Sequence, residues 1–126
     1  MATEDFSIDE LVRKIKKPEI GAIVTFSGVV RGDDSVKGLN VEIYGEMWAE
    51  ELERLKSAAR ERFEIEAVEI VHREGSLNVG ENIVVILVGA RHRKEAFRAC
   101  EYLIDLLKER APIWKRMSET KTEMTT

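Results

Sequence analysis

Between residues 108 and 116 four cations, Lys108, Arg110, Lys115 and Arg116, crowd into nine positions around Pro112. Pro112 lacks an N–H and disfavours helical geometry at Ala111, so an apolar helix arriving from upstream is expected to end near Glu109 or Arg110. Lys108 then sits on its last turn, where a cation complements the negative end of the helix dipole. That accounts for the helix end alone. Beyond the proline, Ile113 and Trp114 form an apolar anchor directly before Lys115 and Arg116. A cation beside such an anchor is a positioned one, suited to holding an anion.

A second basic stretch, Arg91-His92-Arg93-Lys94, joins a strand-like run to the start of the last helix. A helix N-terminus carries partial positive charge and free N–H groups, so four basic residues there reverse the usual preference for acids. A bound anion would resolve the conflict, held by N–H groups, guanidinium and imidazole together. A solvated basic turn is the plain alternative. Arg31 closes another strand-like run. If the two strands are neighbours, Arg31 and the His92-Arg93 turn can share one edge of the sheet. The helix of about sixteen residues that follows is some 24 Å long, so Lys108 at its far end cannot join that site unaided. A symmetric dimer would bring the far end of one helix to the near end of its partner. The spacing therefore predicts an intersubunit site.

The elements that must carry these residues follow from periodicity. Ser7 caps a first helix, Glu10 completes a capping box and Phe6 packs on Leu11 as a staple. Ile8, Leu11, Val12 and Ile15 form its apolar stripe, Pro18 stops it, and Arg13, Lys14, Lys16 and Lys17 make a solvated basic face. Residues 21–31 read as a strand covered on both faces, being rich in β-branched residues with apolar side chains at both parities. A polar loop at 32–38, expected to be mobile, leads to a short strand through Val41, Ile43 and Tyr44. Residues 47–63 turn helical, with Trp48, Leu52, Leu55 and Ala59 on one face and Glu50 paired to Arg54 on the other. A strand over 65–72 places His72 on the face of Val68 and Ile70, the setting of a half-buried packed histidine rather than a catalyst. Gly75 and Asn78-Val79-Gly80 mark turns, and residues 83–90 form a central strand. The last helix covers 93–108, with Ala96, Phe97, Cys100, Leu103, Ile104 and Leu107 on its buried stripe.

Composition narrows the function. The 126 residues suit one domain over 1–126, with 1–5 and 118–126 expected to be flexible, and 44% apolar residues support a real core. A net charge of −4 argues against a general nucleic-acid binder. The run at 83–90 is too short to span a membrane, the first residues lack the pattern of a signal peptide, and a cytoplasmic location is the expectation. Cys100 is the only cysteine, so neither a disulfide nor a thiolate cluster is possible within the chain. His72 and His92 lack ligand-like spacing, which predicts no structural metal, and no cofactor is expected.

Five motifs together resemble one family. They are Val24-Thr25-Phe26-Ser27-Gly28-Val29-Val30-Arg31, Val71-His72-Arg73-Glu74-Gly75-Ser76-Leu77, Gly80-Glu81, His92-Arg93-Lys94-Glu95-Ala96-Phe97, and the run from Leu107 through Lys108, Pro112 and Trp114 to Arg116. Recurring in order over about residues 20–117, they are similar to the large, catalytic subunit of molybdopterin synthase, the MoaE family. The resemblance implies an α+β fold, an α/β hammerhead with a mixed or antiparallel sheet and about three helices. It implies a homodimer within a heterotetramer, carrying a small ubiquitin-like sulfur-carrier subunit at each end. It also implies a sulfurtransferase that converts cyclic pyranopterin monophosphate (precursor Z) into molybdopterin dithiolene, the sulfur arriving as a thiocarboxylate on the carrier's C-terminal Gly-Gly tail.

Matched position by position, Arg31, His92 and Arg93 would hold the substrate and its cyclic phosphate, with Val29 and Val30 lining the same wall. Lys108 and Lys115 match the two lysines associated with catalysis, and Arg116 and Met117 complete the pocket. Lysine can stabilise developing oxyanion charge, and with a lowered pKa it can exchange protons or attack a carbonyl. The resemblance thus points to Lys108 as the proton-transfer or covalent group and to Lys115 as the charge stabiliser. Val29 stands where many members carry lysine. Cys100, on the buried stripe, is expected to pack rather than to relay sulfur as a persulfide. A catalytically silent anion- or carrier-binding module of the same fold is the competing reading, and keeping both anchored lysines speaks against it.

Overall fold

The computed structural model describes residues 6–32, 38–41 and 45–110. The Ser7 hydroxyl accepts a hydrogen bond from the Glu10 N–H at 3.3 Å, which satisfies one of the otherwise unpaired donors at a helix start. Helix α1 (Ile8–Ile15) follows and ends before Pro18. Strand β1 (Ala22–Val29), strand β2 (Gly38–Val41), helix α2 (Gly45–Arg62), strands β3 (Ala67–His72), β4 (Gly75–Asn78) and β5 (Asn82–Ala90), and helix α3 (Arg93–Arg110) complete the order.

The strands form a three-stranded sheet in the order β1-β5-β3 and a two-stranded sheet of β2 and β4, with every pair antiparallel. The β5 strand is central, as its apolar run predicts, and residues 84–88 are fully buried. Its alternation serves two cores. Val84, Ile86, Val88 and Ala90 face α2 and α3, packing with Leu52, Leu55, Ala59, Ala96, Ala99, Cys100, Leu103 and Leu107. Val85 and Leu87 face the other way, with Ile15 of α1 and Ala67, and Phe6, Leu11 and Ile23 close over them. Burying a leucine or isoleucine of this kind contributes about 1.5–3 kcal/mol, so the sheet is a rigid base for whatever its ends carry.

Three expectations need correction. The stretch at 75–78 is strand β4 rather than turn alone, paired with β2 from Gly38 opposite Asn78 to Val41 opposite Gly75. With Leu77 as its only apolar side chain, Gly75-Ser76-Leu77-Asn78 shows no alternation for a sequence to register. The β2 strand starts earlier than expected, at Gly38, while Ile43 and Tyr44 lie outside the described residues. Phe97 is 60% exposed instead of buried. The α3 stripe runs through 96, 99, 100, 103 and 107, and at 100° per residue Phe97 falls beside it, on the same face as Arg93, Ile104 and Lys108.

Candidate active site

Arg31 follows a strand whose last residues are reshaped. Gly28 lies opposite Val84 but Val29 lies opposite Asn82, so Ile83 is an extra residue on β5. Such a bulge bends the strand and redirects its side chains. The ladder then continues one step beyond β1. The Val30 N–H donates to the Glu81 carbonyl at 2.9 Å, and the Gly80 N–H donates to the Val30 carbonyl at 2.9 Å. Val29 is 46% exposed and Val30 only 4%, so the two do not line one wall: Val29 faces outward and Val30 packs inward. Arg31 is exposed immediately beyond.

At the other end, β5 stops at Ala90 and only Arg91 and His92 separate it from α3. Arg91, His92, Arg93 and Lys94 are all exposed. Gly21 braces this corner, its N–H donating to the Ala90 carbonyl at 3.0 Å. A Cβ at that position would stand 2.5 Å from the Arg91 carbonyl oxygen, a distance only glycine avoids.

Arg31 and the His92-Arg93 turn do not share a sheet edge. Their strands are neighbours, but the antiparallel register from Ala22 opposite Ala90 to Val29 opposite Asn82 puts them beyond opposite ends of a paired stretch that is itself about 24 Å long. Helix α3 turns back over β5 and β1, carrying the exposed Lys108 about 22 Å from Arg93, toward the Arg31 end. One chain therefore brings Arg31 and Lys108 to one end and leaves His92 and Arg93 at the other. Lys115, Arg116, Met117 and the anchor at 112–114 lie outside the described residues.

The buried titratable groups are of another kind. Burial pushes the Cys100 thiol up to about 11, and its residue is 3% exposed, the state of an inert packing group. His72 is buried more deeply than expected, at 4%. Its Nδ1 lies 2.9 Å from the Arg73 carbonyl, and because a carbonyl only accepts, Nδ1 carries the proton. Burial holds its pKa below the usual 6.5, against the opposing pull of that hydrogen bond. The Trp48 ring meets it edge-on at 5.5 Å. Next to it, the guanidinium of Arg73, itself 5% exposed, donates to the Glu81 carboxylate at 3.2 Å. The sequence contains this pair inside two motifs, yet a separation of eight positions across a turn gives no local pattern by which to pair them. Among the described residues, no group of three or more His, Cys, Asp or Glu side chains could hold a metal ion. No described helix is long and apolar enough to cross a membrane.

The family model described as "MoaE protein" matches residues 1–110. The molybdopterin synthase catalytic subunit of Pyrococcus abyssi is 43% identical over 116 residues, covering 90% of this chain and 78% of the relative. That of Thermoplasma volcanium is 40% identical over 116 residues, covering 90% and 85%. Among solved structures, the crystal structure of molybdopterin synthase from Staphylococcus aureus superposes with a TM-score of 0.81 at 31% identity, covering 86% of this chain and 81% of that one.

Proposed function

The chain belongs to the MoaE protein family, and from that premise we propose that it is the catalytic partner of a small sulfur-carrier subunit. In this reading it transfers sulfur from the carrier's thiocarboxylated C-terminus to cyclic pyranopterin monophosphate, forming the dithiolene of molybdopterin. The reaction is a cytoplasmic step of molybdenum cofactor biosynthesis. The observation that carries it is the separation of the cations: Arg31 and Lys108 at one end of the sheet, His92 and Arg93 at the other.

A symmetric homodimer turns that separation into two composite sites. If two α3 helices meet antiparallel about a twofold axis near their middle, Arg93 of one subunit comes beside Lys108 of the next. Phe97 then meets Ile104 across the same axis. The exposed face of α3 supports this, because Arg93, Phe97, Ile104 and Lys108 share it and Phe97 is 60% exposed on one chain alone. Arg31, His92 and Arg93 hold the cyclic phosphate, whose charge offsets the repulsion among converging cations. Val29 faces this end from the surface, and Val30 supports Arg31 from behind. Lys108 serves as the proton-transfer or covalent group; Lys115, with Arg116 and Met117, stabilises charge near the thiocarboxylate.

The test is to combine the purified chain with thiocarboxylated carrier and precursor Z and to assay the dithiolene product. Turnover is expected from the wild type, and Lys108→Ala should lower it by about 10²–10⁴ while carrier binding persists. Unchanged turnover in that variant would remove Lys108 from the chemistry. A stable wild-type complex that forms no product would instead favour the silent module.

A further inference from the structure

Glu81 is gripped by its neighbours and in turn grips the strand that ends at Arg31. One carboxylate oxygen accepts from the Arg73 guanidinium at 3.2 Å, and the other accepts from the Asn78 N–H. Its own N–H donates to the Asn78 carbonyl at 3.0 Å, closing the turn at 78–81. That turn needs Gly80, whose φ of +92° lies in the left-handed region. The turn then holds Val30 on both sides, through the Glu81 carbonyl and the Gly80 N–H. Arg73 is itself fixed by main chain, its N–H donating to the carbonyl of the bulged Ile83 at 2.8 Å.

Stability is a poor reason for this arrangement. The Arg73 side chain is 6% exposed and that of Glu81 33%, and a buried ion pair recovers its desolvation cost only with good geometry. A well-packed apolar pair often serves the fold as well. What an apolar pair cannot do is orient, whereas a carboxylate bonded at both oxygens fixes the direction of its turn. We propose that Arg73 and Glu81 are positioning residues for the substrate site: through the turn at 78–81 they fix Val30, and Val30 sets where Arg31 meets the substrate phosphate. The proposal rests on the assignment of Arg31 to substrate binding.

Arg73→Met and Glu81→Gln test it, each made in the wild-type background and in Arg31→Ala, with the chain in complex with its carrier. In the wild-type background each should raise KM for precursor Z roughly tenfold, the scale of coupling between residues in one network, with little change in kcat. In the Arg31→Ala background the same substitutions should add almost nothing, because no guanidinium remains to be misplaced. Equal losses in both backgrounds would mean a merely structural role and overturn the proposal. Hydrogen exchange gives a readout that does not depend on turnover. The Val30 amide should lose protection in both variants, and full protection there would also overturn it. Were Arg73→Met unable to fold, Glu81→Gln decides alone, since it keeps the size of the side chain and an acceptor for Asn78. Absence of turnover in the wild type counts against the sulfur-transfer reading and leaves the exchange measurement intact.

Discussion

At the Arg31 end of the sheet the cation follows a residue gripped by a turn, and that turn is braced by an ion pair from two other strand ends. At the His92 end the cations simply follow the central strand, with two residues between β5 and α3 and a glycine packed against the Arg91 carbonyl. The first end is built from positions far apart in the chain, namely 30, 73 and 81; the second is built almost wholly from neighbours. Long-range construction permits fine placement, and it makes the placement sensitive to remote substitutions. Local construction is robust, with direction set by the strand and the helix it feeds. A site assembled from one end of each kind across a dimer would combine an adjustable half with a fixed half.

The largest expected effect tests whether the two ends meet across subunits at all. Arg93→Ala and Lys108→Ala should each be nearly inactive alone. Co-refolding equal amounts should restore about a quarter of wild-type turnover, because half the dimers are mixed and each mixed dimer has one intact site of two. Activity that stays at the level of the single variants would break the composite-site reading, leaving the two ends as unrelated features.

A middle-sized effect compares how the ends are braced. At Gly21 the added methyl of Gly21→Ala would meet the backbone oxygen of Arg91 at 2.5 Å. Main chain at the end of the central strand cannot step aside, so a loss of about 1–3 kcal/mol is expected. At Gly32→Ala the methyl would meet the Val79 side chain at 2.8 Å. Val79 is 46% exposed and can rotate away, so the cost there should be smaller. Denaturant unfolding of both variants checks the order, and the reverse order would mean that the Arg31 end is the stiffer one.

The same contrast explains what could be read from the sequence. Residues 83–90 announce a central strand because seclusion on both faces demands an unbroken apolar run, and β5 is that strand. The Ser7 cap and the stripe at 96, 100, 103 and 107 are equally local signals, and both stand in the structure. The direction of pairing was not legible, since alternation says which residues face the core but not whether a neighbour runs parallel. That is why the sequence alone leaves Arg31 and His92 free to share an edge. Phe97 borders the apolar stripe in spacing, and a step of 100° from Ala96 carries its side chain into solvent. The link between Arg73 and Glu81 exists only once three strand ends are brought together. As for the candidate site, Arg31, His92, Arg93 and Lys108 stood out as cations at element ends, which is a local property. That they fall into two groups is a property of the fold.

The smallest expected effect concerns the histidine packed at the braced end. His72 ends β3 opposite Val84, beside Arg73, and burial holds its pKa below the usual 6.5. An unfolded chain takes up the proton near pH 6.5, whereas the folded chain resists until the pH is lower. Over that interval the unfolded state binds more protons, so stability is full above about pH 6.5 and declines as the solution is acidified. Other groups also titrate, and the clean measurement is therefore the stability difference between wild type and His72→Gln. Glutamine keeps a donor for the Arg73 carbonyl and has no proton to gain, so its variant should lose less on acidification. The gap between the two proteins should narrow from about pH 7 to about pH 5.5. A constant gap would show that the braced end tolerates a charged imidazole. In that case the packing around Trp48 and Arg73 would be looser than the 4% exposure of His72 indicates, and the contrast between a finely placed end and a robust one would weaken with it.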